Sequence, residues 1–192
     1  GIAGLAKKIN DMGLKFGLWF EPEAISPISE LYKNHPDWCL HIKNRPQNEG
    51  RHEYLLDLSR GEVCDYIIGI LSDVLGSANI EYVKWDMNRN MTDVGSADIS
   101  PERQCEVAHR YMLGLYRVLE TLTNKFPNIL FEGCSGGGGR FDLGMLHYFP
   151  QIWTSDDSDA VERLYIQHGT SMLYPTSAMG AHVSASPNHQ VY

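Results

Sequence analysis

Apolar residues recur along the chain in two alternating rhythms. Ile2, Leu5, Ala6, Ile9 and Met12 fall at helical spacing, and Gly13 follows as a natural helix-ending residue. The next segment, Leu14-Lys15-Phe16-Gly17-Leu18-Trp19-Phe20, reads as a short apolar strand. It stops at Glu21-Pro22-Glu23, because proline cannot donate to a ladder. The helical period returns from Glu62 through Val63, Tyr66, Ile67, Ile70, Leu71, Val74 and Leu75, with Gly76 to end it. Ile80-Glu81-Tyr82-Val83-Lys84-Trp85 is a second strand and gives way to Asp86. Ser100-Pro101 supplies an N-cap and an N1 proline for a helix predicted to reach about Lys125, before Pro127. Ile129–Glu132 is the next strand, followed by a short helix near 142–148 and a strand over Gln151–Ser155. A helix near 160–169 then leads to Met172-Leu173-Tyr174-Pro175.

Helices alternating with short apolar strands predict an α/β fold with a parallel sheet. Two architectures compete, an open doubly wound sheet and a (β/α)8 barrel. The strands end in chemically useful residues, namely Glu21, Asp86, Glu132 and Asp156. Barrel enzymes gather their sites at the C-terminal strand ends, which favours the barrel. The pattern holds roughly five strands, whereas a complete barrel takes about 250 residues. The chain also opens on Gly1-Ile2-Ala3-Gly4-Leu5, without a methionine. Residues 1–192 are therefore expected to form part of a barrel, truncated at both ends. Residues 24–61 are less regular and rich in turns, with Tyr54-Leu55-Leu56-Asp57-Leu58 as a short strand. Such an excursion is often functional.

Composition adds exclusions more than assignments. Of the 192 residues 43% are hydrophobic and 21% charged, enough apolar surface to fold. A net charge of −8 argues against a nucleic-acid partner. No apolar run is long enough for a membrane helix, and no signal peptide is visible. Cys39, Cys64, Cys105 and Cys134 form no CxxC pair and no zinc spacing. Reduced thiols in a cytoplasmic protein, with no metal and no cofactor, is the expectation.

The candidate chemistry lies in two carboxylates, Asp86 and Asp156. Each follows an aromatic-containing strand and should face the barrel mouth. A carboxylate pair across one cleft is what glycosidic cleavage requires: one attacks the sugar or activates water, the other protonates the leaving oxygen. Lys84 shares a strand face with Asp86 by alternation. Beside Asp86 it would lower that carboxyl's pKa; the plainer alternative is a strand-end salt bridge. Asp156, Asp157 and Asp159 crowd together, so repulsion should raise one pKa, although Asp159 also suits a helix N-terminus. The EF-hand spacing is absent. Gly136 to Gly139 match neither GxGxxG nor a P-loop, and suit close backbone approach to a ligand. Cys134 is either a nucleophile without an identifiable histidine or a thiol contact to a substrate hydroxyl. Among the four tryptophans, Trp19 lies nearest a strand end and is the choice for the site. A Schiff base on Lys84, as in aldolase barrels, is the remote alternative.

Several runs together resemble bacterial α-galactosidases of glycoside hydrolase family 36. They are Gly13–Glu23, Lys84-Trp85-Asp86-Met87-Asn88-Arg89, Phe131–Asp142 and Trp153-Thr154-Ser155-Asp156. Tyr174-Pro175 and Met179-Gly180-Ala181-His182-Val183-Ser184 complete the set. The resemblance implies a catalytic (β/α)8 barrel, with an N-terminal β-sandwich and a C-terminal β domain that these residues do not include. It implies retaining hydrolysis of α-galactosyl oligosaccharides of the melibiose and raffinose type by double displacement. Asp86 would be the nucleophile and Asp156 the acid/base. Trp19, Arg51, Lys84, Asn88, Cys134 and Gly136 would bind the sugar. A homotetramer is implied for the whole enzyme. The family's paired aspartates for the galactose 4- and 6-hydroxyls would precede Gly1, so an incomplete pocket, unpaired sheet edges and weak or absent activity are expected of the chain alone. Alternatives are an α-N-acetylgalactosaminidase, a raffinose-synthase-type galactosyltransferase, or a sugar-binding barrel without catalysis.

Overall fold

A computed structural model describes residues 1–181. Its centre is a five-stranded parallel sheet. The strands are β1 (Gly17–Phe20), β4 (Tyr82–Trp85), β5 (Leu130–Gly133), β6 (Gln151–Trp153) and β7 (Met179–Gly180), in that spatial order. Two further short strands, β2 (Ala24–Ile25) and β3 (Tyr54–Leu55), pair antiparallel in the excursion after β1. The sheet order follows the chain order, with helices in the connections, as a partial barrel demands.

The described helices are α1 (Ile2–Asp11), α2 (Glu30–Asn34), α3 (Gly61–Gly76), α4 (Val107–Lys125), α5 (Leu143–Tyr148) and α6 (Ala160–Ser171). All but α2, which lies in the stretch read only as irregular and rich in turns, fall close to their predicted places. Three boundaries differ from the expectation. Pro101–Glu106 is a 3-10 turn, so the long helix begins only at Val107. The strand expected over Leu14–Phe20 pairs only from Gly17. Tyr54–Leu58 gives a two-residue strand outside the main sheet, because the next amides bond to loops: Leu56 N–H to the Glu23 carbonyl and Asp57 N–H to that of Trp38. Of the last sequence motif, His182-Val183-Ser184 lies outside the described residues.

The core lies between the sheet and its helices. Val63, Ile67, Leu71 and Leu75 form the inner stripe of α3, while Leu115, Val118, Leu119 and Leu122 form that of α4. Each such side chain contributes about 1.5–3 kcal/mol by leaving water. Alternation sends Val83, Trp85, Phe131 and Ile152 into this core and leaves Trp19, Lys84, Glu132 and Trp153 on the opposite face of the sheet.

α4 approaches the chain ahead of α3 so closely that only glycine fits at 114. A Cβ there would lie 1.8 Å from the Leu58 carbonyl oxygen and 3.1 Å from Cys64 Sγ. Gly114→Ala is expected to destabilise the chain by about 3 kcal/mol, since helix and backbone must part. The urea unfolding midpoint measures this, and an unchanged midpoint would contradict the packing.

Candidate functional site

The register of the sheet assembles the site. Trp19, Lys84, Glu132 and Gln151 lie side by side on consecutive strands, and Phe20, Trp85, Gly133 and Ile152 form the next row. The ladder continues one step further. Asp86 N–H donates to the Phe20 carbonyl at 2.8 Å, Cys134 N–H to that of Trp85 at 2.8 Å, and Met87 N–H to that of Cys134 at 3.2 Å. The backbones of Asp86 and Cys134 are therefore fixed by sheet bonds, although both residues lie beyond the strands.

Asp86 is nearly buried and surrounded by donors. Trp19 Nε1 donates to Oδ2 at 3.0 Å, and the Met87 amide donates to Oδ1 at 2.9 Å. Asn88 and the Cys134 thiol add two more bonds. Burial pushes this carboxyl's pKa up, but the donors outweigh it and hold the group below the usual carboxylate range. Asp86 therefore stays ionised at neutral pH. The opposite holds for Cys134, whose thiol is pushed up to about 12 by burial and by the neighbouring Asp86 carboxylate. It is a protonated donor rather than a nucleophile.

Asp156 stands two strands away, at the end of β6, and is exposed. It too accepts an indole N–H, from Trp153 Nε1 at 2.9 Å. The ring of Trp153 meets two cations, Lys84 Nζ at 4.3 Å and the Arg163 guanidinium at 5.0 Å from its centroid. Two strand spacings put about 10 Å between the β4 and β6 backbones, room for a sugar ring between inward-leaning side chains. The glycine run bridges the two sides. Gly137 takes φ +83, and a Cβ there would come 2.9 Å from Ser155 Cα and 3.1 Å from the Asp156 nitrogen. Gly136, with φ +54, faces Asn88 Oδ1 at 3.9 Å from its would-be Cβ.

The excursion after β1 adds a further side to the site. Arg51 and His52 both adopt positive φ, 55° and 61°, in a tight turn closed by bonds between Gly50 and Glu53. This turn carries Arg51 Nη1 to within 3.2 Å of Glu21 Oε1. The same oxygen accepts Asn88 Nδ2 at 2.6 Å. Glu21 thus joins two of the expected sugar contacts.

A family model described as melibiase matches residues 1–192. The chain belongs to the melibiase family. It is 68% identical over its whole length to the GH36 α-galactosidase AgaA of Geobacillus stearothermophilus, whose structure superposes with a TM-score of 0.96. That match covers 27% of the AgaA chain. A structure of an AgaA variant in complex with raffinose is 67% identical, with a TM-score of 0.96 over 99% of this chain and 26% of that one. α-Galactosidase 1 of Pediococcus pentosaceus is 54% identical over 99% of this chain and 26% of its own length. The chain thus spans about a quarter of the curated relatives it matches.

Among the residues expected to act in this chain, Trp19, Asn88 and Cys134 converge on Asp86, with Gly136 beside Asn88. Arg51 reaches the group through Glu21. Lys84 takes the plainer of its two readings, a strand-end ion pair. Its ammonium pairs with Glu132 Oε1 at 3.3 Å and caps the Trp153 ring, while the bonds that lower the Asp86 pKa come from uncharged donors. Alternation placed Lys84 on the right face, but its register partner on β5 is an acid, and that acid takes the charge. A Schiff base on Lys84 would have to break this pair. Asp159 has the structural role weighed for it, accepting the amides of Val161 and Glu162 as the cap of α6. Glu21 and Glu132 were read from the sequence as useful strand ends but given no place in the site, and Trp153 was given none either. Their signal was parity: Glu21 follows Trp19 by two residues, and Glu132 precedes Cys134 by two.

Among the described residues no cluster suits a metal ion, and no helix is long and apolar enough to cross a membrane. The thiol assignment is open to a direct check. Iodoacetamide at pH 8 is expected to alkylate exposed Cys105 and to spare Cys134 in the native chain, with sites read by peptide mass spectrometry. Fast labelling of Cys134 would mean that its thiol does not serve Asp86 as a protonated donor.

Proposed function

We propose that this chain carries the catalytic pair of a retaining α-galactosidase, acting on terminal α-galactosyl residues of raffinose- and melibiose-type oligosaccharides. The observation that carries the reading is the contrast between the two acids. Asp86 is nearly buried, saturated with donors and held ionised. Asp156 is exposed to solvent and oriented by the Trp153 indole N–H. A nucleophile and an acid/base need these two environments. The raffinose bound by the AgaA variant supports the substrate class.

In this reading Asp86 attacks the anomeric carbon while Asp156 protonates the departing oxygen. A galactosyl ester on Asp86 results. Asp156, now a carboxylate, then takes a proton from water, which displaces the ester and restores the starting configuration. Trp19, Arg51, Lys84, Asn88, Cys134 and Gly136 line the sugar site. The remaining barrel strands and the flanking β domains belong to the whole enzyme, for which the family resemblance implies a homotetramer. Four unbridged cysteines suit a cytoplasmic setting.

The test uses a chimera in which residues 1–192 replace the matched segment of the Geobacillus enzyme. It should hydrolyse p-nitrophenyl α-galactoside and raffinose, and the isolated chain should fall far below it. Asp86→Ala in the chimera is expected to lose about 10⁴-fold or more in kcat, and azide should restore turnover with β-galactosyl azide as product. Release of α-galactosyl azide, or unchanged turnover, would remove Asp86 from the nucleophile's role. Asp156→Ala should lose about 10²–10⁴-fold on raffinose and much less on the aryl substrate, whose leaving group needs little protonation. Equal losses on both would refute an acid at Asp156.

A further inference from the structure

A second polar cluster lies behind the site, on the core side of the sheet. Glu23 is fully buried and its two carboxylate oxygens accept four hydrogen bonds. Oε1 receives Trp85 Nε1 at 2.8 Å and Arg140 Nη2 at 2.8 Å; Oε2 receives Tyr111 Oη at 2.6 Å and Arg140 Nη1 at 3.0 Å. The four residues come from β4, α4 and the loops after β1 and β5. Their places along the chain matter as much as their contacts. Trp85 immediately precedes Asp86. Arg140 immediately follows Gly139 and closes the loop that brings Cys134 to Asp86 and Gly137 to Asp156. Glu23 lies two residues beyond Glu21, which holds Asn88 and Arg51.

We infer that Glu23 and Arg140 are positioning residues that lock the strand-end loops of β1, β4 and β5 into one body, setting the distance and angle between Asp86 and Asp156. The inference rests on the catalytic reading above. Its physical basis is that a buried ion pair adds little net stability over apolar packing of the same shape, yet resists distortion because separating its charges is costly. A bidentate guanidinium–carboxylate fork fixes orientation as well as distance. Neither residue is among those that bind Asp86, so the effect passes through Trp85 and the glycine loop.

The chimera gives the test. Glu23→Gln alone leaves the Arg140 charge buried without its partner and confounds folding with function. The double variant Glu23→Gln/Arg140→Met removes both charges at similar volume, so its melting temperature is expected within a few degrees of the parent. Its kcat on p-nitrophenyl α-galactoside should fall about 10-fold or more while KM changes less than about 3-fold. A double variant with parent-like melting and parent-like kcat would overturn the inference. If that variant does not fold, Arg140→Lys keeps the charge and loses the fork. It should show the same split, a kcat about 3-fold or more below the parent at near-constant KM, and parent-like kcat there would overturn the inference equally. An inactive parent chimera, or an Asp86→Ala chimera as active as its parent, defeats the catalytic reading itself. An active parent with an unaffected double variant defeats only the positioning role.

Discussion

In-register parallel pairing is the constraint on which the site depends. Trp19, Lys84, Glu132 and Gln151 share one row across four strands, so the residues that follow emerge at one edge. Strand side chains alternate between faces, and a slip of one residue on β4 would turn Asp86 toward the core and Trp85 toward the ligand. That slip is opposed by Trp85, which is fully buried and whose indole N–H is paired with Glu23. The apolar pattern that makes the sheet fold and the polar pattern that makes it useful are thus enforced by the same pleat.

Within that frame the protein separates two chemically identical side chains by environment. Asp86 receives its donors from Trp19, Asn88, Cys134 and the Met87 amide, all uncharged. Neutral donors stabilise the carboxylate without adding a fixed positive charge beside it. The cation nearest in sequence, Lys84, is drawn away by Glu132 and Trp153. Its charge therefore supports the side of the cleft that holds Asp156, where Trp153 donates the orienting bond. Each acid has its own indole, and the two indoles stand on strands that differ in what surrounds them.

Helices and main strands were legible in the sequence because their periods are strong over many residues, as in the α3 and α4 stripes. The polar strand ends were legible for the same reason, since each interrupts an apolar run. Other features depended on partners far away in the chain. The start of α4 gave way to a 3-10 turn where Gln104 turns its amide back to the carbonyls of Ser96 and Ile99. Leu56 to Leu58 looked strand-like, yet their neighbours are loops. Lys84 had two acids within reach by parity and alternation, and only register across β5 decides for Glu132. The left-handed turn at Arg51 carries no glycine at the strained positions, so nothing local announces it. It is held by Arg89, whose guanidinium bonds the carbonyls of Glu53 and Asn48 from the loop after β4.

Glu23 belongs to the same class of long-range feature, and its energetics bear on why it is charged. Apolar residues in place of Glu23 and Arg140 together would fill the core at lower desolvation cost. The carboxylate instead demands donors, and the chain answers with Trp85, Tyr111 and both arms of Arg140. Such a demand is satisfied in one arrangement and strongly penalised in others. Hydrophobic contacts lack this selectivity, because sliding an apolar side chain by a fraction of an ångström loses little area. A site that must hold two carboxylates at a set separation gains from a rigid polar node directly beneath it. Placing that node on the core face keeps its charges off the face of the sheet that carries Asp86.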